Sequence, residues 1–128
     1  MSVLLDTHAL LWWLTADPHL SVAAKSAIED VATERHVSAV TAFELANKVR
    51  IGKLEVAREI IETFDDIIAQ GRFTKLDVDH SHALLAGQML GVHKDPFDRL
   101  LAAQAKIEGL ALITVDEAFD QFGIIRLW

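Results

Sequence analysis

In "DPFDRLLAAQAKIEGLALITVD", Asp95–Asp116, a helix is followed at once by a short apolar strand. Asp95 suits the N-cap, and Pro96 fills the first helical position, where its missing N–H costs nothing. Asp98 then falls at the third helical position, where a carboxylate favours the positive helix end and can reach back as in a capping box. The helix, Pro96–Glu108, delivers the chain to "LALITVD", Leu110–Asp116, the clearest strand in the sequence.

The same alternation runs outward from this unit. "SVLLD" (Ser2–Asp6) reads as a buried strand ending on an acid, with a helix in "THALLWWL" behind it. After a break at Asp17-Pro18 a second helix begins near Ser21. "HVSAV" (His36–Val40) is a short strand that leads into a helix from Thr41, which Gly52 ends. "EVAREIIETFDDIIAQG" is one helical stretch with Gly71 as its stop, and "FTKLDV" a weaker, more polar strand. "HSHALLAGQML", stopped by Gly91, precedes the opening unit, and "IIRLW" supplies a last strand. Short apolar strands alternating with helices predict an α/β domain around a mostly parallel sheet.

A chain of 128 residues suits one domain, residues 1–128, able to bury a core without disulfide or metal staples. Hydrophobic residues make up 52%, rich enough that part of the apolar surface is expected to be covered by another chain. No apolar run approaches a membrane span, and "MSVLLDTH" meets an acid too early for a signal peptide. The absence of cysteine excludes disulfides and thiolate metal sites and suits a cytoplasmic protein, so any metal must be held by Asp, Glu or His. A net charge of −7 argues against a protein that simply coats nucleic acid, but not against an enzyme that meets phosphate through a bound cation.

Ligands of open parallel sheets bind outside the carboxyl ends of the strands. Asp6 and Asp116 close two strands at that edge, and Glu44 lies in the first turn of the helix after the second strand. The helix Pro96–Glu108 descends from the same edge, so Asp98 can join them. Each acid has a plain capping or dipole role open to it. Gathered together without cations, however, they would repel and drift towards protonation. A divalent ion removes that penalty, and an oxygen-rich site suits Mg²⁺ or Mn²⁺, which activate water and stabilise a phosphoryl displacement.

In "LLDTHALLWWL", "SAVTAFELANKVRIGKL", "HKDPFDRLLAAQA" and "LITVDEAF" the chain resembles the PIN-domain ribonucleases, particularly VapC-like toxins of toxin–antitoxin pairs. The resemblance implies a three-layer PIN-like fold, with a central sheet of four or five short strands flanked by helices. It also implies metal-dependent cleavage of RNA to 5′-phosphate and 3′-hydroxyl ends. It carries the acidic roles onto Asp6, Glu44, Asp98 and Asp116, with Asp95 as a fifth acid that either caps the helix or also meets the metal. On this reading Asp6, Asp98 and Asp116 hold one or two Mg²⁺ or Mn²⁺ ions directly or through water, and Glu44 ligates or orients the attacking water. Thr7 and Thr114 offer supporting hydroxyls. The family further implies a homodimer and a cognate antitoxin.

Other signals are weaker. Lys48, Arg50 and Lys53 form the densest basic cluster, either a solvated helix face or a phosphate-steering patch. Arg99 points away from Asp98 on a helix and reads as structural. The six histidines offer no helical ligand pair and are expected not to ligate. Adjacent Trp12 and Trp13 cannot both face one core, so one is expected at an interface. A non-catalytic PIN module binding RNA or protein, or a receiver-like phosphoacceptor domain, are the alternatives. The receiver would need paired acids after the first strand, where Asp6 stands alone.

Overall fold

The structure, a computed structural model, describes residues 2–128. Strands β1 (Val3–Leu5), β2 (Arg35–Ser38), β3 (Thr74–Leu76), β4 (Ala111–Ile113) and β5 (Arg126–Leu127) form one sheet in the order β3-β2-β1-β4-β5. Every neighbouring pair is parallel. Helices α1 (Thr7–Leu14), α2 (Val22–Glu29), α3 (Ala39–Arg50), α4 (Arg58–Glu62), α5 (Phe64–Gly71), α6 (His80–Gln88) and α7 (Pro96–Glu108) make the crossovers and cover both faces.

The central strands β1 (Val-Leu-Leu) and β4 (Ala-Leu-Ile) are unbroken apolar runs because both their faces are buried. Val3 and Leu5 of β1, with Ala111 and Ile113 of β4, pack on one face with Leu10, Ala24, Ile28 and Ile68 from α1, α2 and α5. Leu4 and Leu112 point the other way, onto Leu101, Ala102 and Ala105 of α7. A third cluster joins α1 to α3 and α4 through Leu11, Leu45, Val49 and Ile60. The sheet thus forms the middle of three layers. Among the described residues no helix is long and apolar enough to cross a membrane.

The chain builds outward from β1 to β2 and β3, then crosses back to β4 on the other side of β1. The order reverses between β1 and β4, and the crevice beyond their carboxyl ends is where such sheets take ligands.

Several element boundaries differ from the sequence expectation. Ser38, the last residue of β2, caps α3 by accepting from Val40 N (3.0 Å), so that helix starts at Ala39 rather than Thr41. Glu44 therefore sits beyond the first turn. The expected single helix after Glu55 breaks at Thr63 into α4 and α5, preceded by a 3₁₀ turn, Glu55–Ala57. Gly71 is the last residue of α5, and Arg72 takes the left-handed cap at φ 55. A side chain at Gly71 would strike the Phe73 ring, 2.4 Å from the Cβ position, which keeps glycine there. Helix α6 stops at Gln88, short of Gly91. Gly52 does end α3: at φ 76 it passes its N–H to Val49 O, while Lys53 N reaches Lys48 O.

One buried polar residue ties the layers together. Gln104, fully buried in α7, accepts from Ser38 Oγ at 2.6 Å and donates to Asp77 O at 3.2 Å. Gln104→Leu keeps the volume but strands both partners, and is expected to cost about 1–3 kcal/mol in denaturant unfolding. An unchanged midpoint would show that these bonds add no net stability.

Candidate active site

Loops leaving β1 and β4 and the N-terminal ends of helices meet at the carboxyl edge, and three aspartates there each cap a helical segment. Asp6 Oδ1 accepts from Ala9 N at 2.7 Å and starts α1. Asp95 Oδ1 accepts from Phe97 N (2.9 Å) and Asp98 N (3.4 Å) and starts α7. Asp116 Oδ1 accepts from Ala118 N (2.9 Å) and starts the 3₁₀ segment Glu117–Phe122. A carboxylate has two oxygens, so a cap and a ligand are compatible roles. Capping fixes where each acid stands.

Asp6, Glu44, Asp95, Asp98 and Asp116 line one cavity of about 360 Å³, together with Thr7, His8, Asn47, Lys48 and Lys53. The predicted acids thus all border one cavity. Asp98 does not close a capping box; its Oδ2 pairs instead with His93 Nε2 at 2.7 Å. Glu44 is gripped by two residues, Thr7 Oγ1 donating at 2.6 Å and Lys48 Nζ standing at 3.1 Å. Thr114, fully buried, hydrogen-bonds the Asp6 carboxyl and accepts from Asp116 N at 3.0 Å, linking the acids that come after β1 and β4.

Asp6 is 7% exposed, and burial pushes its carboxyl up to about 6 against the opposing Thr114 and Ala9 hydrogen bonds, with the Asp98 charge adding to the rise. Burial also raises Asp98, against the His93 hydrogen bond, and the charges of Asp95 and Glu44 push the same way. Burial is thus the main cause of both rises, and the neighbouring carboxylates add to it.

Of the basic cluster, Lys48 and Lys53 border the cavity, whereas exposed Arg50 turns to Asn47 Oδ1 (2.5 Å) and lies outside it. Arg99 donates to the carbonyls of Ala86, Met89 and His93 and has the structural role expected of it. Of the histidines, which were expected not to ligate, His93 stands closest to the acids. It is the histidine that, with Asp98 and Asp116, places one possible ligand atom from each residue within 4.8 Å of the others. Its place in an irregular loop gave no helical spacing to read.

Trp13 belongs to the core: its ring meets Phe73 edge-on at 5.5 Å and its Nε1 donates to Glu29 at 3.2 Å. Trp12 instead stacks with His19 at 5.3 Å and contacts His8 and Trp128. Both rings border a second cavity, about 440 Å³, with Pro18 and Leu20.

A three-layer parallel α/β fold with acids gathered at its switch point is the architecture of the PIN domain. The family model for that domain matches residues 3–125, and the chain belongs to this family. It is 32% identical over 117 residues to Ribonuclease VapC22 of Mycobacterium tuberculosis, covering 90% of this chain and 87% of the relative. In structure it is similar to VapBC2 from Rickettsia felis bound to a DNA fragment from their promoter, with TM-score 0.72, 18% identity, and 98% and 97% of the two chains covered. FitAcB from Neisseria gonorrhoeae matches with TM-score 0.66 and 25% identity over 97% of this chain and 95% of that one.

Proposed function

We propose that this chain, folded as one domain, is a metal-dependent endoribonuclease and the toxin of a toxin–antitoxin pair. The observation that carries the reading is the convergence of Asp6, Glu44, Asp98 and Asp116 on one cavity in a PIN-family chain. Kinship to a relative named as a ribonuclease supports the RNA substrate. Likeness to VapBC and FitAB-type assemblies supports a protein partner that restrains the enzyme.

The donor set fits a hard divalent cation, because Asp6, Glu44, Asp98 and Asp116 bring carboxylate oxygens to one cavity. Asp6, Asp98 and Asp116 would hold Mg²⁺ or Mn²⁺, which when bound would activate water and offset phosphoryl charge. Glu44 keeps its carboxylate fixed between Thr7 and Lys48 and orients the attacking water. Lys48 and Lys53, at the cavity rim, draw in the RNA phosphates. Asp95, with one oxygen shared between two N–H groups, is a cap that aims Asp98.

For the antitoxin contact, Trp12 is the anchor, since Trp13 is engaged in the core. Trp12→Ala is expected to weaken binding of the cognate antitoxin by about 2 kcal/mol, roughly thirtyfold, in a titration calorimeter. Unchanged affinity would place that interface elsewhere. A homodimer accords with the exposed apolar side chains Phe43, Leu84, Leu90 and Val92.

The test of the activity is direct. Protein freed of any partner, incubated with total RNA, should cleave it when Mn²⁺ is present and leave it whole in excess EDTA. Cleavage that continues unchanged in EDTA would overturn the metal mechanism.

A further inference from the structure

We propose that His93 supplies a nitrogen ligand to the metal centre, so that one ion is held by a His93–Asp98–Asp116 face rather than by carboxylates alone. The inference rests on the metal-nuclease reading and deepens it. His93 Nε2 is 2.7 Å from Asp98 Oδ2, and one ligand atom each from His93, Asp98 and Asp116 lie within 4.8 Å of one another. Ligand atoms on one octahedral ion bound at about 2.1 Å stand about 3 Å apart when adjacent and about 4.2 Å apart when opposite. Small side-chain adjustments therefore convert the observed arrangement into a coordinating one.

The backbone around His93 is fixed as a ligand-bearing loop must be. Its N–H donates to Gln121 Oε1 at 3.1 Å, and its carbonyl accepts from Arg99 Nη1 at 2.9 Å. The ring lies against Phe119 and Phe122, with centroids 6.3 and 6.2 Å away. These contacts hold the imidazole over Asp98 independently of the His93–Asp98 hydrogen bond. A neutral imidazole is a poor match for Mg²⁺, which prefers oxygen and gives up water reluctantly, and a better one for Mn²⁺ and later transition ions. The centre should accordingly favour Mn²⁺.

Pulsed EPR on the full chain, stripped with chelator and loaded with Mn²⁺, tests this. The expected result is a ¹⁴N coupling from a directly bound imidazole that disappears in His93→Ala and in His93→Gln. The coupling should persist in His8→Ala, which removes the histidine that lines the cavity. The glutamine variant keeps a side chain able to bond Asp98, and so separates ligation from loop packing if the alanine variant folds poorly. The Mn²⁺ Kd should rise in both His93 variants by at least the roughly tenfold that losing even an outer-sphere partner costs. The Mg²⁺ Kd should move less. Bound Mn²⁺ without nitrogen coupling, or a coupling that survives His93→Gln, would overturn the proposal and leave His93 as Asp98's hydrogen-bond partner. Failure of the parent to bind Mn²⁺ at all would remove the underlying metal reading together with it.

Discussion

Asp6→Asn is expected to abolish ribonuclease activity and, in the same molecule, to raise the melting temperature of the metal-free protein at neutral pH. Asparagine can keep the cap on Ala9 N, because Asn and Asp cap about equally well. The substitution removes a buried charge. The folded carboxyl sits at about 6 against an ordinary value of 3.8, so the native state holds the proton more tightly than the unfolded chain does. Stability from this group is complete below about pH 4 and is lost as pH rises through about 6. At about 1.4 kcal/mol per unit, the deficit at pH 7 is on the order of 3 kcal/mol. The raised Asp98 contributes with the same sign.

That linkage is open to two measurements. Without metal, parent stability should fall between pH 4 and pH 6, and the fall should be much shallower in Asp6→Asn. With saturating Mn²⁺ the order of melting temperatures should invert, because only a site with its carboxylate intact gains stability from binding the ion. Cleavage should drop at least about a hundredfold, the equivalent of under 3 kcal/mol of the several that a metal centre supplies. A variant that melts lower than the parent without metal and still cuts RNA would show Asp6 to be a cap and nothing more.

The parts of the site that were legible in the sequence share one property: they lie at the ends of regular elements. A strand pattern ending on an acid places Asp6, Asp-Pro places the start of α7 and hence Asp98, and the order of the sheet brings them together. Glu44 lies at the edge as expected, but two residues further along its helix, because α3 starts at Ala39 rather than Thr41. The signal that corrects it, Ser38 as a cap, lies inside what reads as strand. His93, Arg35 and Gln104 were not legible because their partners are set by tertiary packing. His93 lies in an irregular loop, and Gln104 reads as an ordinary polar position on a helix until Ser38 and Asp77 surround it. The break at Thr63 is similar: nothing local forbids helix there, and α4 and α5 pack into different clusters, Ile60 beside α3 and Ile68 beneath the sheet.

Arg35→Met should be the counterpart of Asp6→Asn, destabilising the fold while sparing the chemistry. Arg35 is 2% exposed at the amino end of β2, the edge opposite the acids. Its guanidinium donates to the carbonyls of Ile28, Gly71, Arg72 and Thr33, and lies 4.9 Å from the Phe73 ring centre. It thereby joins the end of α2, the cap of α5 and the start of the sheet with one rigid fork of donors. Methionine fills the space and meets Phe73 acceptably, but leaves buried carbonyls without partners at about 1–3 kcal/mol each. Because some of those carbonyls can reach water, a total of about 3–5 kcal/mol is expected, as when one member of a buried polar pair is removed. Arg35→Lys should recover only part of this, since an ammonium cannot span the four carbonyls as a planar fork does. In urea unfolding the Met variant should shift strongly to lower denaturant. Its cleavage rate per folded molecule, measured below the transition, should match the parent within about twofold, because no group of the acidic cavity moves. A Met variant of parental stability would show the four carbonyl bonds to be energetically idle. Loss of cleavage in a sample that is fully folded would show instead that the two edges of the sheet are coupled.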